Sequence, residues 1–208
     1  MSRVTVHAIG AFAPAALCEL PPARRRVTEY SFAMSPELDS FTLATWESAT
    51  AGAGALSVML VELDDFERYC DNYGPEAGEV LLGRIGALIR GSGLSRADRA
   101  GRLAAAEFLI VLPGATLETA QVPAERILRA VRDLEIPNRG STVSNYVTVS
   151  IGAASCRPLP GDSMITLIEA GTSALWTAKR RGRNRIAAYE LSPTLAAEEA
   201  VSGNRHVG

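Results

Sequence analysis

A predicted hairpin near the middle of the chain is where side-chain chemistry is easiest to judge. Arg99–Leu103 and Phe108–Leu112 have the composition of two β-strands, and Ala104–Ala106 lie at the bend between them. Alanine methyl groups can neither coordinate a metal ion nor form hydrogen bonds, so this bend has no reactive side chain of its own. The neighbouring carboxylate is Glu107, which strand alternation would direct to the face opposite Ala106.

Histidine and cysteine, the usual side chains of nucleophilic and zinc sites, are few and scattered. The two histidines, His7 and His206, lie near the termini, which argues against a Ser-His-Asp or Cys-His enzyme. The three cysteines, Cys18, Cys70 and Cys156, form no CxxC pair, so a zinc site is not indicated and a cytoplasmic location is expected. The net charge of −2 at pH 7 gives no basic footprint for nucleic acid. The sequence has no run of about 18 apolar residues, so no membrane span is predicted.

The apolar periodicity predicts a mixed α/β domain with helices packed on a central sheet. The predicted strands are Leu56–Leu63, Arg99–Leu103, Phe108–Leu112, Tyr146–Ala153 and Arg185–Tyr189. The predicted helices cover residues 36–48, 65–71, 76–91, 117–134 and 163–181. Asp64 is expected to cap the second helix, and the regular part of the fourth is expected to begin at Pro123.

The 208 residues are enough for one domain with flanking segments. Residues 1–35 carry several prolines and no sustained period, which predicts an irregular N-terminal arm. Residues 36–190 hold the predicted helices and strands and form the domain. Residues 191–208 are expected to form a loose tail.

Six separated segments, in order along the chain, resemble motifs of the GGDEF domain of diguanylate cyclases. They are Asp39–Leu43, Glu62–Glu67, Cys70–Glu79, Asp98–Phe108, Thr148–Gly152 and Ala174–Asn184. The resemblance covers about residues 36–190. It implies the palm-like fold of nucleotide cyclases, in which helices flank a mostly antiparallel five-stranded sheet.

The resemblance implies a chemistry whose signature residues are replaced in this chain. In the family, two GTP molecules condense across a homodimer into cyclic di-GMP, and Mg²⁺ ions neutralise the phosphates. The two signature glycines fall at Ala104 and Ala105, and the acidic metal ligand falls at Ala106, ahead of Glu107 and Phe108. No catalytic residue is therefore expected. Because alanine disfavours positive φ, we expect a turn that differs from one built on glycine.

Other residues matched to the family's metal site and substrate site are altered as well. The first metal aspartate falls at Glu62 and a backbone carbonyl ligand at Leu63, so these two are only remnants and no metal is expected. The guanine-binding asparagine falls at Cys70 and its acidic partner at Glu79. A lysine near the phosphates falls at Glu67, which reverses the charge.

Some charged residues match the family's pattern. Lys179 and Arg183 match residues that contact phosphate, although basic side chains at a helix end also favour the helix dipole. Asp98 and Arg102 match parts of the product-inhibition site, whose arginine partner falls at Ser95.

Three functions stay open on this reading. The favoured one is a catalytically inactive regulatory or scaffold protein that contacts other signalling proteins, such as active cyclases, phosphodiesterases or a motility complex. The second is a nucleotide receptor that binds GTP or cyclic di-GMP without turnover, and the third is a weakly active cyclase. No cofactor is expected, except Mg²⁺ if GTP still binds, and a homodimer stays open. An engineered replacement would explain only the three alanines, whereas natural sequence change would also explain Glu62, Glu67 and Cys70.

Overall fold

In the computed structural model, which describes residues 6–7 and 35–191, helices cover both faces of a single sheet. The strands are β1 (Val6–His7), β2 (Leu56–Leu63), β3 (Arg99–Ala104), β4 (Glu107–Pro113), β5 (Val149–Cys156) and β6 (Ile186–Leu191). The helices are α1 (Pro36–Gly52), α2 (Phe66–Tyr73), α3 (Pro75–Gly91), α4 (Leu117–Asp133) and α5 (Met164–Arg180). The predicted α/β fold is confirmed.

The sheet has the order β1–β6–β5–β2–β4–β3 and is mostly antiparallel. Central strand β2 pairs antiparallel with both β4 and β5, whereas β5 and β6 run parallel. The five predicted strands are joined by a sixth, the two-residue β1, which pairs with the end of β6. The rest of the predicted arm, before residue 35, and the predicted tail after Leu191 lie outside the described residues.

Two apolar layers enclose the sheet, which explains why β2 reads as a nearly continuous apolar run. Met59 and Val61 face the layer formed with α3 and α4. Val58 and Leu60 face the layer formed with α1 and α5. None of the helices in the described part of the chain is long and apolar enough to cross a membrane.

Helix α5 lies unusually close to β5 because glycines meet at the contact. A Cβ atom placed on Gly152 would lie 2.2 Å from the backbone nitrogen of Leu175 and 2.3 Å from the carbonyl oxygen of Gly171. No side chain fits in that space, so the contact requires glycine on the strand. The close approach brings the last turn of α5 beside the end of β2.

Several predicted boundaries are wrong for local reasons. Helix α4 begins at Leu117, as predicted, but it is regular from there rather than from Pro123, because Thr116 and Thr119 form a capping box and the proline is accommodated inside the helix. Tyr146 makes only an isolated bridge with Pro137, and β5 begins at Val149. The predicted capping role of Asp64 is also wrong, since the residue before α2 is Asp65 and its side chain makes no capping hydrogen bond.

Candidate functional site

The hairpin turn of alanines lies beside the end of β2. Ala104 pairs with Glu107 across the hairpin, so Ala105 and Ala106 form a two-residue loop. None of the three alanines has a positive φ, in agreement with the turn expected from the sequence. The amide of Leu63 donates to the Ala106 carbonyl at 3.1 Å, which joins the turn to β2. Only methyl side chains project from this turn.

Arg102 closes the turn from the side of β3. Its guanidinium donates to both carboxylate oxygens of Glu79 on α3, at 2.9 and 3.1 Å. The same group donates to the carbonyl oxygens of Ala104 at 3.3 Å and Ala105 at 2.8 Å. Hydrogen bonds from Arg102 lower the pKa of Glu79. One side chain thus holds both the turn and Glu79, the residue matched to the family's guanine site, an arrangement we call the Arg102 clasp.

At the end of β2, a carboxylate and an ammonium group neutralise each other. The ammonium of Lys179 lies 2.5 Å from the carboxylate of Glu62, and both side chains are about three-tenths exposed, at 28% and 30%. Glu107 is buried and lies directly opposite Glu62 in the β2–β4 pairing. Ala106 packs against the layer formed with α3 and α4, whereas Glu107 lies with Glu62 on the opposite face, as strand alternation predicts. Directly opposed residues share one face of a sheet.

Asp64 is a buried carboxylate beside Glu62 whose contacts were not predicted from the sequence. Its carboxylate is buried and accepts from the Thr148 hydroxyl at 2.8 Å, the Ser150 hydroxyl at 2.7 Å and the Asn184 amide at 3.0 Å. These bonds tie the turn after α5 to the central strands. Thr148, just before β5, and Ser150 on it were the available signal, since residues two apart in an extended segment line one face of the sheet.

The turn that carries Arg183 is held in an uncommon backbone conformation. Arg183 and Asn184 have φ of 59° and 48°, in the left-handed region that side chains other than glycine seldom adopt. Arg132 of α4 fixes Asn184, donating to its side-chain oxygen at 2.8 Å and its carbonyl at 2.7 Å. The guanidinium of Arg183 lies 3.7 Å from the carboxylate of Asp65.

Asp65 also organises the loop before β5. It accepts from the Thr142 amide at 2.7 Å, the Thr142 hydroxyl at 2.8 Å and the Ser141 hydroxyl at 3.2 Å. Burial raises the pKa of Asp65, but these hydrogen bonds and the charge of Arg183 outweigh it and leave the pKa lowered. Arg183 therefore faces a carboxylate.

Cys70, matched to the guanine-binding asparagine, packs between helices α2 and α3. Its sulfur would lie 2.5 Å from a Cβ atom placed on Gly78, so the thiol fills the contact at that glycine. Burial raises the pKa of the Cys70 thiol, and the charges of Asp71 and Glu79 raise it further. A protonated thiol in this position is a weak hydrogen-bonding group.

Asp98 and Arg102, both matched to the product-inhibition site, do not meet. The Asp98 carboxylate accepts from the amide of Ser95 at 2.6 Å and closes its own turn. Arg102 is engaged in the Arg102 clasp. Lys179 and Glu62 are brought together, as are Arg102 and Glu79, but as ion pairs within the chain. Across residues 6–7 and 35–191, no three His, Cys, Asp or Glu side chains are grouped as a metal site requires.

A protein-family model described as "Diguanylate cyclase, GGDEF domain" matches residues 37–185. Diguanylate cyclase A of Treponema denticola is 31% identical over 144 residues, which cover 69% of this chain and 38% of that protein. Response regulator PleD of Caulobacter vibrioides is 29% identical over 153 residues, which cover 74% of this chain and 32% of that protein. The chain thus spans less than half the length of these relatives.

Solved structures show the same architecture. The GGDEF domain of DgcB from Caulobacter crescentus, in complex with c-di-GMP, matches with a TM-score of 0.63 and 25% identity over 73% of this chain and 87% of that one. Diguanylate cyclase SiaD from Pseudomonas aeruginosa, in complex with its activator SiaC, matches with a TM-score of 0.65 and 24% identity over 78% and 63%. The second likeness supports the fold alone.

Proposed function

The chain belongs to the GGDEF domain family, and from that membership we propose that it is a catalytically inactive member that acts in cyclic di-GMP signalling through contacts with other proteins. The observation that carries this proposal is the Arg102 clasp around the alanine turn. The turn offers no carboxylate, and the carbonyls of Ala104 and Ala105 already accept hydrogen bonds from Arg102. Glu79, the acidic remnant of the guanine site, is held by the same guanidinium.

The residues at the end of β2 do not fit the Mg²⁺ that the family uses. Mg²⁺ requires oxygen ligands in near-octahedral geometry. Here the Glu62 carboxylate is paired with Lys179, and the carbonyl of Ala106 accepts from the Leu63 amide. The side chain of Ala106 adds no oxygen. We therefore derive no catalytic step through a metal ion.

The two cations matched to phosphate contacts already lie beside carboxylates of this chain. Lys179 faces Glu62 and Arg183 faces Asp65, so a triphosphate would have to displace a carboxylate from each cation. Glu67 is exposed and adds negative charge on α2, which repels a polyanion. These contacts favour a protein-contact role over a nucleotide receptor.

Protein partners are consistent with what is seen in a structural neighbour. Diguanylate cyclase SiaD was solved in complex with an activator protein, so a GGDEF fold can take part in a regulatory protein complex. The present chain keeps two fully packed apolar layers. The fold is maintained, and the charged residues matched to the family's site form ion pairs within the chain. Such a protein suits the role of a scaffold or regulator of cyclases, phosphodiesterases or a motility complex in the cytoplasm.

Turnover is the first test of this proposal. Purified protein is incubated with GTP and Mg²⁺, and cyclic di-GMP and its linear intermediate are measured by mass spectrometry, with an active diguanylate cyclase as positive control. We expect no product. Product formed at a rate within about a thousandfold of the active enzyme would mean that transition-state stabilisation has lost less than about 4 kcal/mol, and would overturn the proposal.

Complementation separates the protein-contact role from the nucleotide receptor. A strain lacking the protein is complemented with the wild-type gene or with an Arg183→Ala, Glu79→Gln double variant, and cyclic di-GMP-dependent output is measured. We expect both genes to restore the output equally, because neither residue is needed for protein contacts in this account. Restoration by the wild type alone, with equal protein levels, would favour the receptor.

A further inference from the structure

We propose that two copies of this chain associate through helices α1 and α5, with α1 of each copy packed against α5 of the other. The proposal goes beyond the proposed function and does not depend on the loss of catalysis. Both helices cover the same face of the sheet, so one surface carries both halves of the contact. A two-fold dimer requires such a surface, because the same patch must serve both copies.

The exposed side of α1 is acidic around an apolar residue. The carboxylates of Glu37, Asp39 and Glu47 are exposed, and the helix has no lysine, arginine or histidine. Leu43 lies between them and is 51% exposed. Among residues 35–191, no ion pair involves Asp39. This side of α1 therefore suits a partner surface that carries positive charge beside an apolar side chain.

The exposed side of α5 has that chemistry in its last two turns. Trp176 is 40% exposed, and the guanidinium carbon of Arg180 lies 4.6 Å from its ring centre, a pair we call the Trp176–Arg180 stack. Arg180 has no carboxylate partner in the part of the chain that the structure describes. A guanidinium stacked on a ring by its face keeps its N–H groups available at the edge for a carboxylate. Tryptophan and arginine are also the side chains most enriched among those that dominate protein interfaces.

Two glycine contacts show where the helices lie along the strands. A Cβ atom placed on Gly101 of β3 would lie 2.8 Å from the Leu38 side chain of α1. Gly101 is in register with Leu60 of β2 through Leu109 of β4. On the other side of β2, Gly152 pairs directly with Leu60 and contacts α5. Both helices thus meet the sheet at the level of Leu60.

From that level the two helices run in opposite directions. Helix α1 leads through residues 53–55 into Leu56, the first residue of β2. The last turn of α5 instead places Lys179 beside Glu62, near the other end of β2. The first turn of α1 therefore lies at the same end of the sheet as the last turn of α5.

A two-fold rotation about an axis along the strands brings the complementary parts together. It places Asp39 of each copy opposite the Trp176–Arg180 stack of the other, so the contact is made twice. Exposed charge pairs contribute little affinity and mainly fix orientation. Burial of the Trp176 ring is expected to contribute most of the affinity.

Sedimentation equilibrium of the full chain tests the proposal. It is measured for the wild type, Asp39→Arg, Arg180→Glu and Trp176→Ala, after circular dichroism has established that each is folded. Glu118→Arg is the matched control, because Glu118 is exposed in the first turn of α4 on the opposite face of the sheet. We expect the wild type and the control to be dimers at about 100 μM, and the other three variants to dissociate about tenfold more readily or more. A wild type that is monomeric at this concentration, or three variants that dimerise as the wild type does, would overturn the proposal.

Mixing two variants tests the symmetry of the contact. A two-fold dimer contains the Asp39–Arg180 pair twice, so one copy of Asp39→Arg and one of Arg180→Glu together form two pairs of opposite charge. We expect the equimolar mixture to dimerise with an affinity within about threefold of the wild type. Variants that stay apart on mixing would overturn the proposal. Open-ended assembly of the wild type would also overturn it, because the contact would then not close on itself.

The two proposals fail separately. Synthesis of cyclic di-GMP would overturn the loss of catalysis and leave the dimer in place. A monomeric wild type would overturn the dimer and leave the inactive protein in place.

Discussion

Removal of the Asp64 carboxylate should destabilise the domain more than removal of any other carboxylate near the site. Asp64 accepts three hydrogen bonds, from Thr148, Ser150 and the amide of Asn184, while it is only 1% exposed. Asp64→Ala leaves these donors without their acceptor. The two hydroxyls can rotate toward other groups, but the Asn184 amide cannot.

The size of the effect follows from these contacts. A hydrogen bond to a charged group contributes about 1.5–3 kcal/mol, and the gain on relieving the buried charge offsets part of the sum of three. Loss of one member of a buried charged network typically costs about 3–5 kcal/mol. We expect Asp64→Ala to lower the free energy of unfolding by about 3 kcal/mol, and Asp64→Asn by less, since the amide keeps the shape and one acceptor.

The assay is urea denaturation followed by circular dichroism at neutral pH. Asp98→Ala is the matched control, because Asp98 is partly exposed and accepts from the Ser95 amide within its own turn. We expect the control to lose about 1 kcal/mol or less. Equal losses in Asp64→Ala and Asp98→Ala would refute the reasoning, because the buried network would then contribute no more than a surface turn.

Three further changes follow from packing and charge. Gly152→Ala should cost about 3 kcal/mol or prevent folding, because the added Cβ atom would lie 2.2 Å from the backbone of α5. Gly83 is exposed, and a Cβ atom placed on it has no atom within 4 Å, so Gly83→Ala should stabilise α3 slightly. Urea denaturation compares the two variants, and similar free energies of unfolding would contradict the close packing of α5 on β5. Burial raises the pKa of Cys156 to about 12, so alkylation at about pH 8 should label the more exposed Cys70 before Cys156. Faster labelling of Cys156 than of Cys70 in the folded protein would contradict this. Because the pKa of Asp65 is lowered in the folded protein, its carboxylate stabilises the fold above the ordinary pKa of 3.8, and this stabilisation is lost as the pH falls through the lowered pKa. Asp65→Asn should therefore make the free energy of unfolding fall less steeply in acid denaturation. A pH profile equal to that of the wild type would contradict this prediction.

The sequence predicted the elements whose signals are local. The buried run of β2 and the hairpin around Ala104–Ala106 each depend on a few neighbouring residues, and each was found. Strand β1 was missed because two residues carry no periodicity. The start of α4 at residue 117 was found, but its regular part was placed too late, because a capping box before Pro123 outweighs the proline.

The pairing of the site residues could not be predicted in the same way. Asp64 and Asn184 are 120 positions apart in the chain, and Lys179 meets Glu62 only because α5 packs closely on β5 beside β2. Motif matching gave Glu62 and Lys179 one by one and assigned them to a metal and to phosphate. Their contacts with each other depend on strand order and helix approach, which no single motif contains.

Calorimetric titration of GTP with Mg²⁺ into the full chain tests the central claim most directly, because a nucleotide must break the Glu62–Lys179 pair and the Arg102 clasp to enter. We predict no binding heat up to millimolar nucleotide, which corresponds to a binding free energy weaker than about −4 kcal/mol. Micromolar, Mg²⁺-dependent affinity that is lost in Glu62→Gln would contradict the account, since it would show that the metal and the nucleotide still find their ligands.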